Sequence, residues 1–193
     1  MRWPMLCIAG IMVIALYCTF TFTSLALFPK PYNPINNWLN DLGNSSYNPN
    51  GAVFFNIGCV LTGLMLFPFY VGIRRWYTKE HWNKHLLLVT QVAGFSSAFA
   101  LVMIGVFSED YPTQHLFWSQ AFFVLNLAVL ILANRSLMAH PNFINPIGYY
   151  GYAVAAINLT LILVSTTPLI EWLTVFTALG YAGLLTYNTF KLT

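Results

Sequence analysis

The residues able to do chemistry concentrate in one interval. Residues 31–50 read PYNPINNWLNDLGNSSYNPN and carry Asn37, Asn40, Asp41, Asn44, Ser45 and Ser46. Amides and hydroxyls both donate and accept hydrogen bonds, whereas a carboxylate only accepts. Such a set suits a hydroxyl-rich or cationic group better than a bare phosphate. A second set, Glu109, Asp110, His115 and Ser119, lies after the third apolar run and into the fourth, and Asn56 lies in the second run. If the fold brings them together, Ser45, His115 and Asp41 form a nucleophile, base and carboxylate for a membrane hydrolase. The plainer alternative is a capped connecting loop whose Asp and Asn satisfy backbone groups locally.

These residues are held by a chain that is almost entirely hydrocarbon-compatible. Of 193 residues, 58% are hydrophobic and 7% charged, against roughly a quarter charged in a soluble domain. Uncharged apolar runs occupy about 4–28, 51–73, 86–107, 115–133, 147–165 and 168–190. Runs of about 20 such residues read as membrane-spanning helices. Continuous runs are not the alternation of a barrel strand. The expectation is a single all-α domain over 1–193: one bundle of six transmembrane helices. The first run is too long for a signal-peptide core, about 7–15 residues, and is read as a retained span.

Charge sets the orientation. With six spans, Arg2, Arg74, Arg75, Lys79, Lys84, Arg135 and Lys191 fall on one side and Lys30 alone on the other. The positive-inside rule puts the first group, and both termini, in the cytoplasm. Asp41, Glu109, Asp110 and Glu171 then lie outside, with only Glu80 inside. A net charge of +3, scattered as it is, gives no nucleic-acid footprint. The inner loop RRWYTKEHWNKH reads as a headgroup anchor, with Trp76, Tyr77 and Trp82 at the interface.

Polar and small residues recur at helical spacing. Gln91, Gly94, Ala98 and Gly105 share a face of the third span, and Gly151, Ala155, Asn158, Ile162 and Ser165 share one of the fifth. Both read as helix contacts. In the fourth span His115, Ser119 and Asn126 fall within about 40° of one another at 100° per residue, so that stripe must face the bundle. The connection at 31–50 is longer than a crossing requires. Trp38, Leu39 and Leu42 predict that it dips back as a short helix, with Pro34 early in it, Gly43 at its end, and Asp41 and Asn44 turned to the bundle. Cys7, Cys18 and Cys59 lie in apolar runs and read as packing residues. His81 and His85, four apart, lack further ligands. No metal, cofactor or mid-span lysine chemistry is implied.

The block Asn40-Asp41-Leu42-Gly43-Asn44-Ser45, with Asn56 and Gly63 after it, resembles the prokaryotic membrane-protein family of unknown function numbered 998. So does Gly105-Val106-Phe107-Ser108-Glu109-Asp110, followed by His115 and Phe122-Phe123. That family is similar to the wider DRAM/Frag/Sfk group of six-span proteins. The resemblance implies the six-span fold and an association with lipid handling, and it brings no assigned reaction. Family members often carry proline where this chain has Ser108.

The reading is a multi-pass protein of the cell membrane with a polar extracytoplasmic pocket for a lipid headgroup or lipid-linked group. Its expected partners are membrane lipids, and a homo-oligomer or a membrane complex is a further possibility. The alternatives are the hydrolase above and an accessory subunit without chemistry. The topology is checked by thiol labelling. A cysteine introduced near Asn48 should react with an impermeant reagent from outside and one near Lys79 should not. The reverse pattern contradicts it.

Overall fold

The computed structural model describes residues 3–164 and 167–192. Arg2 and Ser165, used above, lie outside the described residues. Six helices follow one another: α1 (Met5–Ala26), α2 (Ala52–Gly72), α3 (His81–Val106), α4 (Pro112–Leu137), α5 (Asn145–Val164) and α6 (Pro168–Phe190). All six are long and apolar enough to cross a membrane, as a multi-pass integral membrane protein requires. Each packs on its chain neighbour, and α6 returns to α1, so the helices close into a ring.

Helix ends depart from the apolar runs where polar residues find partners inside the bundle. α3 begins at His81, not Leu86, because Asn83 is buried and donates to the Ser136 carbonyl at 3.2 Å. α4 begins at Pro112, whose missing N–H costs nothing in a first turn. It continues to Leu137 with Asn134 and Ser136 buried. After α2 a 3₁₀ turn, Ile73–Trp76, buries Trp76 completely, and its indole N–H donates to Thr189 Oγ1 at 3.0 Å. Trp76 is therefore a core residue rather than the interfacial anchor expected of it. Its ring packs edge-on against His140 and Phe143, and Arg75 donates to the Leu192 carbonyl at 3.3 Å. These contacts gather the basic segments after α2, α4 and α6 at one end of the bundle.

The small-residue stripes lie at helix contacts. A Cβ on Gly63 of α2 would stand 2.9 Å from the Ala98 carbonyl oxygen of α3, and one on Gly105 would stand 2.4 Å from the Asn56 carbonyl oxygen. Backbone meets backbone there, as small residues permit in membranes. Gln91 donates to the Tyr70 carbonyl at 2.8 Å, and Asn158 to the Phe123 carbonyl at 3.3 Å.

At the opposite end the α1–α2 connection folds back as expected, in a 3₁₀ turn over Leu39–Gly43. Leu39 and Leu42 are 1% and 0% exposed and join Tyr17, Phe55 and Trp172 in a second core cluster. The turn ends at Gly43, as read. Pro34 lies in a separate turn before it, closed by Asn33. Asn48 is fully buried, so Tyr47, which is exposed, is the better labelling position.

The α2–α3 contact yields a stability prediction. Gly63→Val drives a branched side chain into α3 backbone and should cost about 1–3 kcal/mol. Gly183→Ala should be neutral or better, since its Cβ would meet only the flexible tip of Ile14 at 3.3 Å. Thermal melting in detergent checks this, and equal melting temperatures for both variants contradict it.

Candidate functional site

The site is built around the first turn of α6. Glu171 is 4% exposed. Its Oε2 accepts from the backbone N–H of Leu39 at 2.7 Å, and its Oε1 accepts from Asn40 Nδ2 at 2.6 Å. The Leu39 N–H is the otherwise unpaired donor at the start of the 3₁₀ turn. The carboxylate also sits at the amino end of α6, where the helix dipole favours negative charge. Aromatic contacts complete the seat: Tyr32 lies between Phe28 and Trp172, and Trp172 stacks on Phe176. The Trp172 indole donates to the Asn37 carbonyl at 3.2 Å.

On the α1–α2 side, Asn48 clamps the turn. Its amide donates to the Leu42 carbonyl at 3.0 Å and to Ser24 Oγ at 2.9 Å, and its oxygen accepts from Gly51 N–H at 3.1 Å. Asn56 donates to the Gly43 carbonyl at 3.0 Å. A Cβ at residue 43 would stand 2.5 Å from Asn56 Oδ1, which is why glycine closes the turn.

With the turn held, a cleft of about 610 Å³ opens between it and the near ends of α4, α5 and α6. Asn40, Glu109, His115, Ser119, Gln120 and Glu171 give it a polar side, with Trp38 beside them. Leu116, Phe123, Val124, Leu161 and Ile162 give it an apolar one. His115 is 7% exposed and its Nδ1 lies 2.8 Å from the Phe107 carbonyl oxygen, tying α4 to the end of α3. A carbonyl only accepts, so Nδ1 carries the proton. Among the described residues, His115 Nε2, Ser119 Oγ and Glu109 Oε2 are buried atoms without a hydrogen-bond partner.

The expected site residues thus divide three ways. Asn40, Glu109, His115 and Ser119 line this cleft. Ser45, Asn56 and Asp110 line a separate groove on the α2–α3 flank. There the Ser45 N–H and hydroxyl donate to Asp110 Oδ1 at 2.9 and 2.8 Å, and Ser108 donates to Oδ2 at 2.9 Å. Asn37, Asp41, Asn44 and Ser46 bond within the loop, and Asn44 also reaches Glu109. Asp41 accepts from Trp38 N–H at 2.9 Å, Asn44 Oδ1 from Ser46 N–H at 2.9 Å, and Asn37 Oδ1 from Asn33 N–H at 3.2 Å. Asp41 and Asn44 are the loop residues expected to turn to the bundle; Asn40 makes the contact to α6 instead, and Asp41 caps the turn locally. Ser45, His115 and Asp41 belong to three different hydrogen-bond sets, so no hydrolase triad is assembled.

Electrostatics follow the same division. Burial pushes the Asp41 carboxyl up, with the Trp38 N–H working against it. Burial pushes Glu109 up as well, and the Asp41 charge adds to this against a hydrogen bond from Asn44. Slight burial raises Asp110, but the bonds from Ser45 and Ser108 outweigh it and hold the group below the usual carboxylate range. Asp110 therefore stabilises the fold above the ordinary aspartate range, and loses that contribution as pH falls through its lowered value. Glu109 works in the opposite sense: its desolvated charge opposes folding as pH rises through the glutamate range.

Sequence reasoning placed Glu171 at this end without giving it a role. An acid in the first turn of a helix reads as a dipole partner, and nothing local shows that it reaches residues 132 and 131 positions earlier. Sequence reasoning gave Asn48 no role, and only the fold reveals its clamp. Residues 11–187 match the family described as Protein of unknown function (DUF998). No curated protein and no solved structure matches the chain.

Glu171→Gln replaces one acceptor with a donor facing another donor. Each hydrogen bond to a charged group is worth about 1.5–3 kcal/mol, so a loss of that order should lower the melting temperature and speed proteolysis within residues 31–50. Asp41→Asn keeps the acceptor for Trp38 N–H and should stay within about 0.5 kcal/mol, as for substitutions that leave a feature intact. Equal effects from the two variants contradict the assignment.

Proposed function

Because the chain belongs to the family described as Protein of unknown function (DUF998), its activity must come from its own residues, and we propose that it is a cell-membrane protein that holds a lipid by its headgroup in the cleft beside α6. The observation that carries this is the pairing of buried, unpartnered His115 Nε2 and Ser119 Oγ with an apolar wall in one cleft. An unsatisfied buried polar atom costs about 1–3 kcal/mol, and a ligand that completed these two would recover that cost. Leu116 and Val124 on the apolar wall are themselves exposed on the helix surface, where the bilayer would reach the cleft sideways. An amphipathic cleft at a bilayer boundary matches a molecule that is polar at one end and hydrocarbon at the other.

The charge asymmetry supports putting this end outside, with both termini in the cytoplasm. The resemblance to the DRAM/Frag/Sfk group is in keeping with lipid handling. The site residues on this reading are Asn40, Glu109, His115, Ser119 and Glu171. A binding role is favoured over hydrolysis because Ser45 Oγ is engaged by Asp110 and lines another groove.

Native mass spectrometry tests the reading. The wild-type chain should retain about one lipid through detergent exchange, and Val124→Trp, which fills the apolar wall, should lose it. Val89→Trp, at an exposed α3 position, is the control and should retain it. Unchanged adducts in Val124→Trp, or none in the wild type, overturn the reading.

A further inference from the structure

Resting on that lipid-binding reading, we propose that the polar end of the ligand is a primary ammonium group. The argument is a donor and acceptor account of the cleft. Because Nδ1 of His115 donates to the Phe107 carbonyl, Nε2 of the neutral ring is an acceptor, buried without a partner on a residue that lines the cleft. Glu109 Oε2 is a buried acceptor with no partner. Both oxygens of Glu171 take one donor each and keep further lone pairs. Asn40 gives one Nδ2 hydrogen to Glu171 and keeps the other beside its carbonyl oxygen. Ser119, Asn40 and Gln120 offer both donors and acceptors. Among the described residues lining the cleft, none is lysine or arginine.

A wall that bears two acidic side chains, with no lysine or arginine among its described residues, disfavours an anion such as a bare phosphate or carboxylate, whatever amide and hydroxyl donors it also meets. A glycerol headgroup could hydrogen-bond but would leave the carboxylates uncompensated. A quaternary ammonium brings charge without N–H donors, and so leaves His115 Nε2 and Glu109 Oε2 unpaired. A primary ammonium carries three N–H donors and one positive charge, which answers both requirements. The Trp38 ring at the cleft edge adds a surface that favours a cation.

The experiment uses the full chain, delipidated in detergent and titrated with lipids of identical acyl chains, reading bound lipid by native mass spectrometry and melting temperature. Phosphatidylethanolamine should bind at least tenfold more tightly than phosphatidylglycerol or phosphatidylcholine. Glu109→Gln, in a connecting loop, and Ser119→Ala should each reduce that preference at least threefold while the lipid-free melting temperature does not fall. Phosphatidylglycerol or phosphatidylcholine binding equally well overturns the ammonium assignment and leaves the lipid reading standing. Free ethanolamine protecting as strongly as the lipid keeps the ammonium and overturns the lipid. No specific binding by any of the probes overturns both.

Discussion

A buried carboxylate in the first turn of α6 holds the α1–α2 connection against the bundle. Removing a carboxylate from water costs several kcal/mol unless it is fully hydrogen-bonded. Glu171 offsets part of that cost with one backbone donor and one side-chain amide. The donors it takes would otherwise be orphaned, the Leu39 N–H among them. Each side of the contact therefore removes a penalty from the other. Leu39 and Leu42 then add apolar burial on the underside of the same turn.

The cleft follows from that contact. The turn stands Asn40 and Trp38 over the near ends of α4 and α6, and forms one wall that no transmembrane helix supplies. The opposite wall comes from α4, whose His115 is locked to the end of α3 by the Phe107 carbonyl. Close α2–α3 packing through Gly63 and Gly105 brings the two backbones together on that side of the ring. The polar atoms of the site thus come from three segments distant in sequence, and Asn40, His115 and Glu171 are each oriented by a hydrogen bond. Ser45 and Asp110, by contrast, satisfy one another on the α2–α3 flank, which removes them from the cleft despite their chain proximity to Asn40 and Glu109.

The helices were legible because a membrane forces long apolar runs, and the six runs reappear as six helices with ends shifted by a few residues. Those shifts occur at Asn83, Pro112 and Asn134, where polar residues extend a helix that hydropathy alone would stop. The inward stripe of His115 and Ser119 was legible for a related reason, since polar groups at helical spacing avoid lipid. The loop was harder. Asp41 and Asn40 are adjacent and both polar, and their spacing does not say which one caps the turn locally and which one reaches α6. Glu171 was invisible as a site residue because its partners are set by tertiary contact alone. Trp76 was misassigned to the interface because an aromatic beside arginines usually sits there, whereas here it meets Thr189 in the core.

The most direct measurement is a structure of the full chain in nanodiscs containing phosphatidylethanolamine and phosphatidylglycerol. The account predicts a lipid in the cleft, its nitrogen within about 3.2 Å of His115 Nε2 or a Glu109 oxygen, and its acyl chains leaving past Leu116 and Val124. A cleft occupied only by water, or closed by movement of the 3₁₀ turn, would contradict it.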